Sequence, residues 1–132
     1  MNDTKQICKN CGKCCQKTEM LLSEQDIQLI EQIHFDLKRD GFTVLNKTGR
    51  RQLKNKDNSC FFFDNITKLC KIYKIRPQGC RFYPIIYDND QGICIYDKDC
   101  PRVERFYLNE IQFKEICNNI KNFLKSELKI KL

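Results

Sequence analysis

CKNCGKCC, residues 8–15, places Cys8, Cys11, Cys14 and Cys15 within eight positions. Three of them follow the spacing C-x2-C-x2-C, which lets a tight loop turn its sulfurs inward onto one centre. Gly12 lies between two of them, where a positive φ is cheap. Thiolates must be deprotonated to bind, and a cation or an iron–sulfur core compensates their charge. Adjacent side chains diverge, so Cys15 either serves a second site or closes the first from another side.

Working outward, four more cysteines fall at Cys60, Cys70, Cys80 and Cys100. Cys60 and Cys70 bound CFFFDNITKLC, where a hairpin would bring the two ends together. Cys80 lies in IYKIRPQGCRFYP, and Cys100 precedes Pro101. Pro77 fixes its own φ and biases Arg76 toward an extended shape; Gly79 then allows a sharp return to Cys80. Arg76 and Arg81 flank that sulfur, placed to donate charge-assisted hydrogen bonds to thiolate or bridging sulfide. The last two of the ten cysteines stand apart. Cys117 reads as a small hydrophobe on the apolar face of the final helix. Cys94 alternates with Ile93 and Ile95 in a strand and receives no role.

The opening MNDTKQICKN lacks the apolar stretch of a secretory signal, and no run of about 18 apolar residues occurs. The expectation is a cytoplasmic protein, where dense cysteines more often bind metal than pair as disulfides. The formal charge of +7 is spread along the chain. It reads as an offset to an anionic metal–thiolate centre rather than the concentrated patch of a nucleic-acid surface.

The 132 residues suit one domain, 1–132. Ser23 is placed as an N-cap with Asp26 completing a capping box. Ile27, Ile30, Ile33, His34 and Leu37 form one helical stripe, and Gly41 suits a left-handed stop. His34 reads as a core-edge residue rather than a ligand. FTVLNKTGRRQLK reads as a hairpin turning near Lys47–Gly49; CFFFDNITKLCKIY as two strands around Asp64–Lys68; PIIYDNDQGICIYD as a pair turning at Asn89–Gly92. Phe61, Phe62 and Phe63 are expected to fill core from a strand covered on both faces. From Asn109 a long amphipathic helix presents Phe113, Ile116, Ile120, Leu124 and Leu128 on one face, beside a stripe of Lys121, Lys125 and Lys129. The expected fold is α+β: a small metal-stapled domain of short antiparallel hairpins, flanked by an N-terminal and a long C-terminal helix.

CKNCGKCC, then SEQDI, then CFFFDNITKLCKIYKIRPQGCRFYP, then DCP, together resemble the CxxCxxCC cysteine-cluster family, also called YkgJ-type, described as zinc- or iron-chelating. The resemblance covers about residues 8–101. It implies a ligand set of Cys8, Cys11, Cys14, Cys15, Cys60, Cys70, Cys80 and Cys100. Ile72, Tyr73, Arg76, Pro77, Arg81 and Pro84 belong to the shared I-Y-x-x-R-P-x-x-C-R-x-Y-P stretch. The family's domain also occurs within flagellin lysine methylases.

Four thiolates satisfy either zinc or an iron–sulfur cluster. C-x2-C-x2-C with a remote Cys100-Pro101 has the layout of a bacterial ferredoxin, although Thr18 stands where the fourth cysteine would fall. That likeness favours iron–sulfur and a role in electron transfer, redox sensing or support of a partner protein. Two alternatives stand beside it. One is a zinc-stapled module touching protein, or RNA through the five basic residues of NKTGRRQLKNK. The other is a methyl-transfer accessory enzyme. No phosphate loop, H-E-x-x-H, nucleophile elbow or dinucleotide glycine pattern occurs.

Overall fold

A computed structural model describes residues 13–132. Cys8, Cys11 and Gly12 lie outside the described residues. The first regular helix, α1 (Glu24–Ile33), starts where its sequence signals place it: Ser23 accepts from the Asp26 amide, and the Asp26 carboxylate accepts from the Ser23 amide. The helix ends at His34 rather than running on to Gly41. A four-residue helix, α2 (Arg39–Phe42), follows, and Gly41 lies inside it instead of acting as a left-handed stop. Arg39 holds the two together, reaching Glu24 at 2.7 Å and Glu31 at 2.9 Å. The expected stripe therefore splits: Ile27 and Ile30 are buried, while Ile33 is half exposed.

Four antiparallel hairpins follow. β1 (Thr43–Leu45) pairs with β2 (Arg51–Leu53) across a turn containing Gly49 at φ 81°. β3 (Asn55–Lys56) pairs with β4 (Ser59–Cys60). Asp57 and Asn58 both take positive φ, as a two-residue hairpin turn requires. β5 (Phe63–Asp64) pairs with β6 (Leu69–Cys70). The Phe61–Phe63 run is thus a corner between two hairpins rather than one covered strand, although Phe62 and Phe63 are buried as expected. β7 (Ile85–Asp88) pairs with β8 (Ile93–Tyr96), with Gly92 at φ 69° in the turn.

Between β6 and β7 lie a 3-10 turn, Tyr73–Ile75, and a short helix, α3 (Gln78–Phe82). The final helix, α4 (Glu110–Asn122), is capped by Asn109, whose side chain accepts from the Gln112 amide at 2.8 Å. It continues as a π-helical turn over Phe123–Glu127. Its end is closed by Lys129 in the left-handed region and by Arg50. The Arg50 guanidinium donates to the Leu128 carbonyl (Nε, 3.2 Å) and to the Lys129 carbonyl (Nη2, 3.4 Å).

Two apolar cores result. The first gathers Leu22, Ile27, Ile30, Phe42, Leu53, Phe62, Phe63 and Ile72, with Cys60 among them. The second lies between β7–β8 and α4, around Ile85, Cys94 and Ile120. Phe82 on α3 meets Phe123 at the end of the final helix, with ring centroids 5.9 Å apart. The fold is α+β, with helices and short antiparallel hairpins as expected. One expectation is corrected inside the second core: Cys94 and Cys117 form a disulfide that fastens β8 to α4. Strand alternation and helical periodicity each place one of these cysteines inward, and the packing of α4 on the hairpin brings them together.

Candidate metal centre

The cysteine turn, Lys13–Cys15, is anchored from two sides. Gln16 bridges to Ser59, and the Lys17 amide donates to the Asn58 carbonyl at 2.8 Å, so Cys14 and Cys15 lie beside β4 and Cys60. Asn55 brackets Thr18, accepting from its amide at 3.0 Å and donating to its carbonyl at 2.9 Å. The next hairpin sets Cys70 opposite Phe63, and the Lys71 amide donates to the Phe62 carbonyl at 2.8 Å. That register returns Cys70 toward Cys60. α3 supplies Cys80.

Cys14, Cys15, Cys60, Cys70 and Cys80 all line one cavity of about 150 Å³. Its other walls are mostly apolar, including Met20, Leu53, Phe63, Ile72 and Pro77. Arg76 and Lys68 bring positive charge to the same cavity. Arg76 has the extended backbone expected before Pro77, with φ −54° and ψ 145°. Its guanidinium lies over the Tyr73 ring, 4.0 Å from the centroid, and Nε donates to the Tyr73 carbonyl at 3.2 Å. Arg81, the other arginine singled out in the sequence, is exposed and faces a separate recess with Asn119, Asn122 and Glu127.

The thiols influence one another. Burial pushes Cys60 up to about 11, and the charges of Cys70 and Cys14 add to the rise. Burial also raises Cys70 and Cys80, with Arg76 opposing both. Cys14 is lowered to about 7, first by its hydrogen bond with Cys15. Cys15 is raised, first by that same bond. Four raised thiols beside the lowered Cys14 form a donor set that a cation would favour as thiolates. Among the described residues, no group of three or more His, Cys, Asp or Glu side chains is arranged to hold a metal ion as it stands.

Cys100 is buried but does not line this cavity. Tyr83 does line the cavity; burial raises its pKa first, then its bond to Asp97, with Cys100 and Cys14 adding less. Its hydroxyl donates to Asp97 Oδ2 at 2.8 Å.

Residues 7–118 match the CxxCxxCC family, whose description reads "Putative zinc- or iron-chelating domain". The chain belongs to the CxxCxxCC family. A relative from Methanocaldococcus jannaschii, the uncharacterised protein MJ0661, is 34% identical over 80 residues. Those residues are 58% of this chain and 43% of that protein, so the match spans less than half of the relative. No solved structure matches the chain.

In this CxxCxxCC protein, five of the family's cysteines line the one cavity described above. Sequence reasoning missed several of its supports. Asn55 and Met20 carry no motif signal, and Tyr83 appears only as the unremarked tyrosine before Pro84. Gly79 also differs from expectation. It lies within α3 without a positive φ, and a Cβ there would overlap the Met20 sulfur. Close packing against Met20, not a sharp turn, is what the glycine serves here, and a Cβ would need the Met20 side chain to shift. The basic hairpin is partly committed to the fold: Arg50 closes the end of the last helix, and Arg51 pairs with Asp40 at 3.0 Å. No helix among the described residues is long and apolar enough to cross a membrane.

Proposed function

We propose that the cavity holds a thiolate-bound metal centre and that this centre is an iron–sulfur cluster. The supporting observation is the gathering of Cys14, Cys15, Cys60, Cys70 and Cys80 on one apolar cavity beside Arg76. A volume of about 150 Å³ also favours a multi-atom core. Zinc alone needs only four sulfurs at ~2.3 Å, whereas an apolar cavity of about this volume accommodates a benzene-sized body. With Cys8, Cys11 and Cys100 the proposed octet exceeds the four thiolates that one cluster takes, which leaves ligands for a second centre.

Within that reading, the sulfurs bind as thiolates and the apolar walls exclude water. Arg76 offsets negative charge at Cys14, Cys70 and Cys80. A bound cluster supplies one-electron chemistry, which suits electron donation, redox sensing or support of a partner enzyme. The free thiols fit the cytoplasm.

Anaerobic purification tests the reading. The protein is expected to be brown, with visible absorbance, iron and acid-labile sulfide. Colourless protein carrying stoichiometric zinc would replace the cluster with a structural zinc site. Cys70→Ser is expected to lose metal, whereas Cys117→Ser retains it.

A further inference from the structure

We infer that Asp26, the capping-box residue of α1, is a positioning residue that sets Cys80 in the cavity. The inference deepens the metal-centre reading above.

Asp26 uses both carboxylate oxygens. Oδ2 accepts from the Ser23 amide at 3.0 Å, closing the capping box. Oδ1 accepts from the Gln78 amide at 3.2 Å, across 52 positions of sequence. Gln78 is the first residue of α3, and Cys80 is the third. Ser23 and Asp26 are 2% and 7% exposed, so water offers their polar groups little compensation. An ordinary capping box needs only one acceptor oxygen from this side chain. The second oxygen is free for a distant partner, and here that partner is the opening amide of the cysteine-bearing turn.

The rest of the turn leaves few other restraints. Pro77, fully buried, has no amide to donate. The Cys80 amide is satisfied within the turn by the Pro77 carbonyl at 3.0 Å. Gly79 packs on Met20, and the Gln78 side chain donates to Glu127 at 2.8 Å. The Gln78 amide is therefore the main-chain hydrogen bond that fastens the start of α3 to the first core.

Two substitutions at one position isolate that bond. Gln78→Pro deletes the amide donor, leaves Asp26 and α1 untouched, and suits the first helical position. Pro77 already has the ψ of 150° that a following proline prefers. Gln78→Ala removes only the side-chain bond to Glu127. The measurement is the alkylation rate of each cysteine in reduced, metal-free full-length chain, read by peptide mass spectrometry. Relative to Gln78→Ala, Gln78→Pro is expected to speed labelling of Cys80 about fivefold, the equivalent of one lost hydrogen bond. Cys60 and Cys70 should keep their rates. Asp26→Asn, which retains one acceptor oxygen, should move Cys80 in the same direction, whereas Ser23→Ala should not move it selectively.

An unchanged Cys80 rate in Gln78→Pro, or an equal rise at Cys60, Cys70 and Cys80, would overturn the inference and leave Asp26 as a helix cap. The readout needs no metal. Selective release of Cys80 in a chain that binds neither iron nor zinc would uphold the positioning role while refuting the metal centre.

Discussion

At the scale of single residues, the cysteine cavity shows how burial converts chemistry into pH dependence. Cys60 in the metal-free fold holds its proton up to about 11, against 9 for an ordinary thiol. Between those values the unfolded chain has already released this proton and the folded chain has not. Stability of the metal-free protein therefore falls as pH rises from 9 to 11. Cys60 alone accounts for roughly 2–3 kcal/mol, because one unit of pKa difference is worth ~1.4 kcal/mol. Urea titrations across that range should show the slope, and Cys60→Ser should make it shallower, with Cys70 and Cys80 supplying the remainder. At neutral pH the same raised thiols must lose protons to bind a cation, so loading should acidify a weakly buffered solution. Gly79 gives a second residue-scale expectation. Gly79→Ala should destabilise by about 1–3 kcal/mol through overpacking against Met20. Combining it with Met20→Ala should recover part of that loss in a double-mutant cycle of thermal melts.

At the scale of elements, two fastenings act where sequence patterns show little. Arg50 spans 78 positions to reach the Leu128 carbonyl. Arg50→Ala should lower stability by about 1 kcal/mol, as expected for helix-end carbonyls losing a charged donor. Arg51→Ala should cost less, because its partner Asp40 is 84% exposed. Thermal melts of the two variants would rank them. The Cys94–Cys117 bond closes a separation of 23 residues. Replacing both cysteines by serine should cost about 3 kcal/mol in urea unfolding under oxidising conditions.

What the sequence made legible at this scale was local. Ser23 with Asp26, Gly49, Gly92 and Asn109 mark element boundaries through their own backbone and side-chain chemistry. The β3–β4 turn at Asp57–Asn58 carries a comparable signal but falls in the gap between the basic run ending at Lys56 and the strand pair beginning at Cys60. Gly41 misled because a glycine permits a left-handed stop without requiring one. The long-range partners Asp26–Gln78, Arg50–Leu128 and Cys94–Cys117 depend on how elements dock, and no local pattern records docking. The sulfur cavity was half readable: cysteine spacing pointed to Cys14, Cys15, Cys60, Cys70 and Cys80, but not to Met20 and Tyr83 between and beside them.

At the scale of the whole molecule, the two cores are braced by different chemistry. The first surrounds the sulfur cavity, and the second holds the disulfide. Removing the proposed metal with a chelator should loosen the first core while the β7–β8 hairpin and α4 keep their protection. Amide hydrogen exchange of loaded and stripped protein would test this through faster exchange confined to α1, β3–β6 and α3. Uniform acceleration throughout would mean that the two cores open as one cooperative unit.

The clasp of Arg50 on the end of the final helix also fixes a geometry that a spectroscopist can use. It brings the β1–β2 turn near the chain beyond Lys129, although some eighty positions separate them in sequence. Non-thiol labels at Thr48 and Lys131 would form a short ruler across the seam, reporting the gap between the halves without disturbing any sulfur.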